Sequence, residues 1–442
     1  MGLEGRGYVG KILYVDLMNE KIRTETLDEK VAYLLLGGKG LGTWLLYKLS
    51  RPRENPLSPN TPLIFATGPL TGTSAPTSSK TCIVTKSPAT RTVLDSYCGG
   101  FFASELKYSG YDCLVITGQA ERPSIIVIDD GEVDIRAAEA LWGLTTVEAE
   151  KEIRKSLGKD FKTMVIGPAG ERLSPIAGIF SDLRCAGRGG AGAIMGSKKL
   201  KAIAVRGKEP VQVYDEREFN KMAWIAYRTL RMSEATARSM PVFGTANILL
   251  VVNEAGALPT RNFQSGRFEK AEEISGESFR EELWIRSYGC SLNCPIACSK
   301  IALIKEGRFK GTVVDGPDYE TIFSFGSNCG VSDKNAISYA NYICDMYGID
   351  TISFGTALGF AMECYEEGIL NKERTGGLEL RFGNAEAMLE LLHQMGRGEG
   401  FGPVVGQGIR RMKKLFAEKY GGDPQFLQDI GMEVKGLEYS EY

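Results

Sequence analysis

The sequence predicts an α+β protein in which a β-rich region precedes a mainly helical region. Short β-branched runs that end in glycine or polar turns fill the first two hundred residues. After about residue 208, apolar residues recur at three- and four-residue spacing instead. Strands followed by helices are typical of α+β proteins and not of a doubly wound βαβ architecture. We therefore expect a β-rich domain at residues 1–208 and a helical domain at residues 209–420.

The strand signals begin with two hairpins. "KILYVDL" and "KIRTETL" flank Met18-Asn19-Glu20, and Asp129-Asp130-Gly131 precedes "EVDIRAA". In this region we expect helices only in "KVAYLLLGG" through "TWLLYKL" and in "TVEAEKEIRKSL". The remaining predicted strands are "PLIFATG", "TCIVTKS", "CLVITG", "SIIVID", "MVIG" and "AIAVRG".

The second half carries the helical pattern, and Gly348, Gly368 and Gly421 stand where helices would end. The predicted helices are "EFNKMAWIAYRTLRM", "NAISYANYICDMYG", "TALGFAMECYEEG", "AEAMLELLHQM" and "GIRRMKKLFAEKYG".

Composition narrows the class of protein. The 442 residues carry a net charge of −2, with acidic and basic residues interspersed, which argues against binding to nucleic acid or to a membrane surface. No apolar run approaches the roughly 20 residues of a membrane helix. The N-terminus has no apolar signal region. We expect a cytoplasmic protein with neither nucleic acid nor membrane as a partner.

Three of the ten cysteines stand apart from the others. Cys290, Cys294 and Cys298 are spaced by four residues, and such clusters in a reducing compartment are more often metal ligands or redox groups than disulfides. Iron–sulfur clusters normally take four thiolates, and structural zinc takes four Cys or His ligands. The one histidine, His393, lies in a helical pattern far along the chain, so the spacing leaves both metals open. The other seven cysteines are expected to be small buried residues.

Two further stretches carry candidate chemistry. Residues 182–205, "DLRCAGRGGAGAIMGSKKLKAIAV", contain glycines whose backbone N–H groups could cradle phosphate, although an ordinary turn is the alternative. Residues 315–330 include Glu320, and "DMYGID" places Asp345, Gly348 and Asp350 at a predicted helix end. Short acidic side chains there could bind backbone or a polar ligand.

Together these stretches resemble the tungsten-containing aldehyde:ferredoxin oxidoreductases over essentially the whole chain. The motifs that carry the resemblance are "GYVGKILYVDL", "LLGGKGLG", "ATGPLTGT", "TKSPATRT…CGG", "GRGGAGAIMGSKKLKAIAV", "GPDYETIFSFGSNCG", "DMYGID" and "MEVKGLEYSEY".

The resemblance implies a β-rich pterin-binding domain of two packed sheets and a cofactor whose metal, tungsten or molybdenum, is held by dithiolene sulfurs of two pyranopterins. Mg²⁺ would bridge the pterin phosphates, with Tyr97 standing where the family has asparagine. Lys80 stands where the family has an arginine between the pterin and the cluster. A lysine keeps the positive charge of that arginine but cannot form the two parallel hydrogen bonds of a guanidinium group. The implied cofactor-binding residues are Lys80, Tyr97, Cys98, Gly99, Ala186, Gly187, Arg188, Asp345, Gly348 and Asp350.

The resemblance also implies that Cys290, Cys294 and Cys298 bind a [4Fe–4S] cluster, with C-x3-C-x3-C in place of the usual C-x2-C-x3-C. The family's fourth ligand comes from a third domain, of which residues 421–442 would be only the start, so we expect that domain to be absent. Its completion could come from a separately encoded C-terminal portion.

The implied reaction is oxidation of an aldehyde to a carboxylic acid, with Glu320 as acid/base or orienting carboxylate and with electrons passing to ferredoxin or another low-potential carrier. One alternative is a subunit of a complex, like benzoyl-CoA reductase, that reduces an aromatic acyl-thioester at low potential. A second is a non-catalytic, truncated iron–sulfur electron-transfer or binding protein. Relatives that dimerise make a homodimer a further expectation.

Overall fold

The structure, a computed structural model, describes Leu3 and residues 5–440. The outer ends of the predicted first and third domains, residues 1, 2, 4, 441 and 442, lie outside the described residues. The chain divides into two compact units. Unit 1 comprises the described residues of Met1–Leu173, Ala177–Ser233 and Gly289–Ile296, and unit 2 comprises Ser174–Ile176, Glu234–Tyr288 and the described residues of Ala297–Tyr442.

The first sheet of unit 1 has six strands in the order β2-β1-β6-β3-β4-β5. Strands β1 and β6 are parallel, and every other neighbouring pair in this sheet is antiparallel. Residues 17–20 join β1 to β2, so the first predicted hairpin is confirmed. The strands are β1 (Lys11–Asp16), β2 (Lys21–Thr26), β3 (Leu63–Ala66), β4 (Thr81–Lys86), β5 (Val93–Cys98) and β6 (Cys113–Thr117).

The second sheet also has six strands, in the order β11-β10-β9-β12-β7-β8. Here β7 and β12 form the parallel pair, and the predicted hairpin at Asp130-Gly131 joins β7 to β8. The strands are β7 (Ser124–Asp129), β8 (Glu132–Ala137), β9 (Lys162–Val165), β10 (Ile179–Ser181), β11 (Arg184–Ala186) and β12 (Leu200–Arg206).

Unit 1 is built in layers around the two sheets. One apolar core contains residues of both sheets together with α3 and α6, α2 covers the other face of the first sheet, and α4 covers the other face of the second. The prediction of two packed sheets is therefore confirmed. The helices are α1 (Glu29–Leu35), α2 (Gly38–Leu49), α3 (Phe102–Tyr108), α4 (Thr146–Leu157), α5 (Pro168–Glu171), α6 (Ala191–Ser197) and α7 (Glu216–Met232).

Unit 1 also contains a buried charged pair. The ammonium of Lys107 lies 2.6 Å from a carboxylate oxygen of Asp112, and both side chains are almost completely enclosed. The same carboxylate accepts hydrogen bonds from the backbone N–H groups of Val9 and Gly10. Burial lowers the pKa of Lys107, and Asp112 opposes that shift. The pair fixes the start of the chain onto the first sheet.

Unit 2 is mainly helical, and each of the predicted helices in the second half of the sequence is confirmed, with the first of them, α7, belonging to unit 1. Helix α13 is buried along most of its length and is the helix around which the unit packs. The helices of unit 2 are α8 (Met240–Phe243), α9 (Leu249–Glu254), α10 (Gly276–Glu282), α11 (Tyr319–Phe325), α12 (Lys334–Tyr347), α13 (Thr351–Glu366), α14 (Ala385–Arg397), α15 (Gly402–Val405), α16 (Ile409–Tyr420) and α17 (Pro424–Ile430).

The strands of unit 2 lie in two small antiparallel sheets. One has the order β13-β14-β15, and the other is a two-stranded hairpin. Sequence periodicity predicts none of these short strands. They are β13 (Trp284–Tyr288), β14 (Ser299–Leu303), β15 (Val313–Asp315), β16 (Glu433–Val434) and β17 (Leu437–Glu438).

One stretch of unit 2, Ala235–Glu254, is long and apolar enough by composition to cross a membrane, although the sequence analysis predicts no such run. A single stretch of this kind is a weak indication. It is also irregular, because a π-helical turn and a 3₁₀ turn accompany α8 and α9 and because Gly244 has a φ of 61°.

Replacing Asp112 by asparagine should lower the free energy of unfolding by about 3–5 kcal/mol, because the buried ammonium of Lys107 loses its counter-charge. Chemical denaturation followed by circular dichroism measures the change. The matched control is Glu152→Gln, which removes one partner of an exposed Glu152–Lys155 pair and should cost less than about 1 kcal/mol. Equal effects of the two substitutions would contradict this account of the pair.

Asp350 begins α13 as its N-cap, and its carboxylate accepts a hydrogen bond of 2.9 Å from the backbone N–H of Ser353. Asp350→Ala should therefore lower the free energy of unfolding by about 0.5–2 kcal/mol, whereas Asp350→Asn keeps the cap and should stay near wild type. Thermal denaturation of both variants checks this. If asparagine costs as much as alanine, the buried charge rather than the cap stabilises this helix end.

Candidate functional site

The clustered cysteines lie in the loop between β13 and β14, and not on a helix. Cys290, Cys294 and Cys298 are each partly buried. The loop turns tightly, because an added Cβ on Gly289 would lie 2.6 Å from the carbonyl oxygen of Cys294. Asn293 has a φ of 56°, a left-handed conformation that non-glycine residues seldom adopt. The backbone thus holds Cys290 and Cys294 in a compact turn of unit 1.

Within unit 1 this loop is attached to the turn that follows β5. The backbone N–H of Gly100 donates to the carbonyl of Cys290 at 2.6 Å. An added Cβ on Gly99 would approach that carbonyl oxygen to 2.9 Å, so a side chain at Gly99 would displace the loop. A second attachment runs from the Asn293 amide to the carbonyl of Thr73 at 3.0 Å. Gly99, predicted to bind the cofactor, therefore also has a packing role.

The strand alternation of β5 separates two of the predicted cofactor residues. Tyr97 is 46% exposed on the outer face, whereas Cys98 is completely buried on the inner face. Burial raises the pKa of Tyr97, whose hydroxyl forms hydrogen bonds with Cys82 and Asp95. Burial raises the pKa of Cys98 to about 12, and its thiol donates to the carbonyl of Arg184 at 3.3 Å. Cys98 is thus a neutral core thiol.

Lys80 is exposed immediately before β4, whose first residue pairs with Cys98. Its positive charge lies close enough to Cys98 to oppose the rise in the pKa of that thiol. Arg184, on β11, acts on Cys98 in the same sense. Two basic side chains therefore lie near the turn that holds the cysteine loop.

The predicted phosphate loop connects β11 to α6. Gly189 accepts a hydrogen bond from the Ser87 hydroxyl at 2.7 Å through its carbonyl, and Gly190 takes a left-handed conformation as the N-cap of α6. An added Cβ would lie 2.3 Å from a backbone oxygen at Gly192 and 2.0 Å from one at Gly196. These glycines allow close backbone packing. Ala186, Gly187 and Arg188 precede them, at the end of β11 and the beginning of the loop.

Unit 1 also leaves several buried hydroxyl groups without a hydrogen-bond partner among the described residues. They include the hydroxyls of Thr81 and Ser181. Thr81 is paired with Cys98 in register, and the Ser181 hydroxyl would lie 2.9 Å from a Cβ on Gly100. Buried polar atoms are normally satisfied, so unpartnered ones indicate a water or a polar ligand. They lie beside the turn that carries the predicted cofactor residues.

In unit 2, Glu320 lies in the first turn of α11 and is partly buried. Its neighbour Tyr319 is 1% exposed, and its hydroxyl has no hydrogen-bond partner among the described residues. A buried phenol whose hydroxyl lacks a partner is a candidate for contact with a polar ligand. The sequence analysis does not single out Tyr319, although its position next to Glu320 in the sequence could have indicated it as a candidate site residue.

The segment "DMYGID" forms the corner between α12 and α13. Gly348 is the left-handed C-cap of α12, with a φ of 78°, and Asp350 is the N-cap of α13. Both therefore have a local structural function. Asp345, in the last turn of α12, is buried, and its carboxylate accepts a hydrogen bond of 2.9 Å from the amide of Asn341.

A chain of hydrogen bonds joins this corner to the residue just before the cysteine loop. The hydroxyl of Tyr288 donates to the carboxylate of Asp315 at 2.6 Å, and the carbonyl of Asp315 accepts from the Asn341 amide at 2.9 Å. Asn341 then reaches Asp345. Sequence patterns alone single out neither Tyr288, Asp315 nor Asn341. Only the four-residue spacing of Asn341 and Asp345 on one helix face could have indicated their pairing.

The side chains of His, Cys, Asp and Glu within residues 3 and 5–440 form no group of three or more arranged to hold a metal ion. Cys290 and Cys294 belong to unit 1, and Cys298 belongs to unit 2. A shared metal site for the three cysteines therefore stays a prediction. His393 lies in α14 between the rings of Tyr339 and Tyr347, and burial lowers its pKa.

Comparison with known proteins extends over both units. The sequence model of the aldehyde ferredoxin oxidoreductase N-terminal domain matches residues 12–207, and the model of domains 2 and 3 of the same family matches residues 221–442. A tungsten-containing aldehyde ferredoxin oxidoreductase of Pyrococcus abyssi is 40% identical over 450 aligned positions, which cover 98% of this chain and 72% of the relative.

Two other similar proteins are named for different reactions. The WOR-like subunit of an aliphatic sulfonate oxidoreductase from Pyrococcus furiosus is 36% identical, over 97% of this chain and 70% of its own. A chain from the solved active site complex BamBC of benzoyl coenzyme A reductase, in complex with 1,5-dienoyl-CoA, superposes with a TM-score of 0.84 at 27% identity. That alignment covers 99% of this chain and 66% of the solved chain.

Both family models and the extent of identity lead to one conclusion. The chain belongs to the aldehyde ferredoxin oxidoreductase family and is an oxidoreductase of that family.

Proposed function

We propose that this chain oxidises aldehydes to carboxylic acids with a tungsten bis-pyranopterin and passes the electrons through a [4Fe–4S] cluster to ferredoxin or another low-potential carrier. The observation that carries the proposal is the 40% identity to tungsten-containing aldehyde ferredoxin oxidoreductases over 98% of the chain. Molybdenum would use the same dithiolene ligands.

The donor set fits such a cofactor. Pyranopterins offer many polar atoms and phosphates, and the chain has unpartnered buried hydroxyls at Thr81, Ser181 and Tyr319 near the candidate residues. Three thiols stand in one loop, and iron–sulfur clusters take thiolate ligands. When bound, the tungsten bis-pyranopterin supplies the two-electron oxidation and the oxygen transfer of the reaction. The protein supplies binding, orientation and electrostatics.

Each candidate residue has a task in this proposal. Ala186, Gly187 and Arg188, with the backbone at Tyr97–Gly99, would hold the pterin phosphates and their Mg²⁺. Asp345, Gly348 and Asp350 would hold a pterin through the helix corner. Lys80 would provide positive charge near both cofactors. Cys290, Cys294 and Cys298 would bind iron.

Glu320 is the proposed proton-transfer group. Glu320 is partly buried in the first turn of α11, and a partly buried carboxylate can accept or donate a proton or orient a water. Tyr319 would hold the polar end of the substrate or a water through its unpartnered hydroxyl.

A second function has its own support. The solved benzoyl coenzyme A reductase chain superposes over 99% of this chain, so low-potential reduction of an aromatic acyl-thioester, as part of a complex, is the alternative. The proposal also includes a cytoplasmic location for the protein. The chain would form a homodimer or assemble with a separately encoded C-terminal portion.

The cysteine assignment predicts that Cys290→Ser loses iron. The chain would be produced anaerobically in a host that makes tungstopterin, and tungsten, molybdenum, iron and zinc would be measured by mass spectrometry. Iron should fall by more than half in the variant while tungsten stays. The control is Cys113→Ala, at a buried thiol in β6, which should keep wild-type iron. Zinc in place of iron in the wild type would overturn the assignment.

The Glu320 assignment predicts a loss of rate without a loss of cofactor. Glu320→Gln should lower kcat for aldehyde-dependent reduction of a viologen dye by about 10²–10⁴-fold, the usual contribution of general acid–base catalysis. Its tungsten and iron should equal those of the wild type. Glu272→Gln, at an exposed position, is the control and should be fully active. Unchanged kcat in Glu320→Gln would reject this role.

The same preparation separates the two substrates. Wild-type chain that oxidises aldehydes but leaves benzoyl-CoA unchanged in the presence of a low-potential reductant supports the first function. Reduction of benzoyl-CoA without aldehyde oxidation supports the alternative.

A further inference from the structure

Helix α7 carries a basic stripe on the face that it turns to solvent. Four cations and one tryptophan follow one another along it at spacings of four, three, four and three residues, which places them on one side of the helix. The basic stripe consists of Arg217, Lys221, Trp224, Arg228 and Arg231, and each of these residues is exposed. Phe219, Ala223 and Leu230 lie on the opposite side and are the least exposed residues of the helix, so that side faces unit 1.

Most of the basic stripe has no counter-charge within the protein. Lys221 pairs with Glu218 at 3.1 Å. In the part of the chain that the structure describes, no ion pair joins Arg217, Arg228 or Arg231 to a carboxylate. The guanidinium of Arg228 lies over the ring of Trp224, 4.8 Å from its centroid, and this contact uses none of the N–H donors of the arginine. The donors of the three arginines therefore stay available to an external acceptor.

Large apolar side chains lie among and beside these cations. Trp224 is 57% exposed, and its neighbours on the helix surface, Ile225 and Met232, are 42% and 77% exposed. Exposed apolar groups with a polar rim mark sites of interaction with other molecules. Tryptophan and arginine are also the residues that most often dominate the energy of protein–protein binding. The basic stripe therefore has the composition of a protein-binding surface.

Helix α7 and the cysteine loop are attached to adjacent residues of one segment of unit 1. The hydroxyl of Ser74 donates to the side-chain oxygen of Asn220, in the second turn of α7, at 2.6 Å. The side-chain amide of Asn293, in the cysteine loop, donates to the carbonyl of Thr73 at 3.0 Å. A partner bound along α7 would therefore lie near the cysteine loop, although its binding requires no metal there.

We propose that the basic stripe of α7 is the docking surface for an acidic electron-carrier protein. The electron-transfer role of this partner rests on the proposed function, whereas its binding rests on the charge and composition of the stripe. The whole chain carries a net charge of −2 and does not attract an acidic protein by its total charge. Four cations along one helix face provide a local positive field, which speeds the encounter with an acidic partner and fixes its orientation.

A protein partner is favoured over an anionic membrane. A helix that binds a membrane surface buries its apolar face in the lipid. In α7 the side with Phe219, Ala223 and Leu230 faces unit 1, and the side open to solvent carries the cations. The basic stripe therefore fits a surface of carboxylates, to which each arginine can offer two parallel hydrogen bonds.

The reaction sets how often the carrier must bind. Oxidation of one aldehyde with one water gives one carboxylic acid, two protons and two electrons, so two one-electron carriers are reduced in turn. Each reduced carrier must leave before the next one docks. Exposed ion pairs are individually weak, so a surface of exposed charges permits this exchange.

The test uses the whole chain, purified anaerobically with its cofactors, and an acidic ferredoxin as the probe. Arg228→Glu combined with Arg231→Glu should raise the KM for ferredoxin in aldehyde oxidation by about tenfold or more, and Trp224→Ala should do the same. The kcat with a small viologen dye should equal that of the wild type in both variants. Added salt should raise the KM for ferredoxin in the wild type and have little effect in the double arginine variant.

The matched control reverses two exposed lysines elsewhere in unit 1, Lys151 on α4 and Lys159 shortly after that helix. Lys151→Glu combined with Lys159→Glu changes the net charge by the same amount as the double arginine variant, and it should leave the KM for ferredoxin near wild type. Arg228→Gln combined with Arg231→Gln removes the two charges without reversing them. It should give a smaller rise of KM, and it serves if the charge-reversed variant does not fold.

Direct binding of ferredoxin, measured by calorimetry, separates this inference from the proposed function. If the wild-type chain oxidises no aldehyde with the dye, the proposed function fails, while ferredoxin binding that the double arginine variant loses still supports the docking surface. Unchanged binding in the double arginine variant and in Trp224→Ala overturns the docking surface and leaves the proposed function intact. Equal weakening in the lysine control overturns it as well.

Two other occupants of the basic stripe would also overturn the proposal, in each case with ferredoxin binding unchanged. Sedimentation of the wild type with phosphatidylglycerol vesicles, lost in the double arginine variant, would assign the stripe to a membrane. A change in the oligomeric state of that variant, measured by light scattering, would assign it to contact between copies of the chain.

Discussion

A charge removed from water must meet an opposite charge or a full set of hydrogen bonds, and this requirement organises both units. In unit 1, Asp112 neutralises Lys107 while it holds two backbone N–H groups near the start of the chain, and Glu171 neutralises Lys201. In unit 2, Asn341 satisfies the buried carboxylate of Asp345. Lys198 in unit 1 and Lys300 in unit 2 are instead held by neutral oxygen atoms, so hydrogen bonds take the place of a counter-charge there.

Close backbone packing is the second constraint, and it explains why glycine dominates the motifs. Gly99 and Gly100 admit the carbonyl of Cys290, and Gly192 and Gly196 admit backbone oxygens against α6. A glycine-rich motif in this family therefore combines two effects. It brings chain segments together, and it leaves the neighbouring loop residues Gly187 and Arg188 partly exposed. A substitution at such a glycine would disturb both.

The sequence predicts the elements whose signals are local. The hairpins around β1–β2 and β7–β8, the amphipathic α4 and the left-handed caps at Gly348 and Gly421 follow from turn chemistry and periodicity. Helix α6 gives no such signal, because every one of its residues is buried and no polar face marks its period. The sequence analysis likewise does not single out Tyr319 and Asn341, because the unpartnered hydroxyl of the first and the bonded carboxylate of the second become evident only in the folded chain.

The central claim of the proposed function is that tungsten would be held by the sulfur atoms of an organic cofactor and not by side chains of the protein. X-ray absorption at the tungsten L₃ edge of the anaerobically purified chain tests it most directly. The account predicts a coordination shell dominated by sulfur that is identical in wild type and Cys290→Ser. A shell of nitrogen and oxygen alone, or sulfur lost with the cysteine, would contradict it.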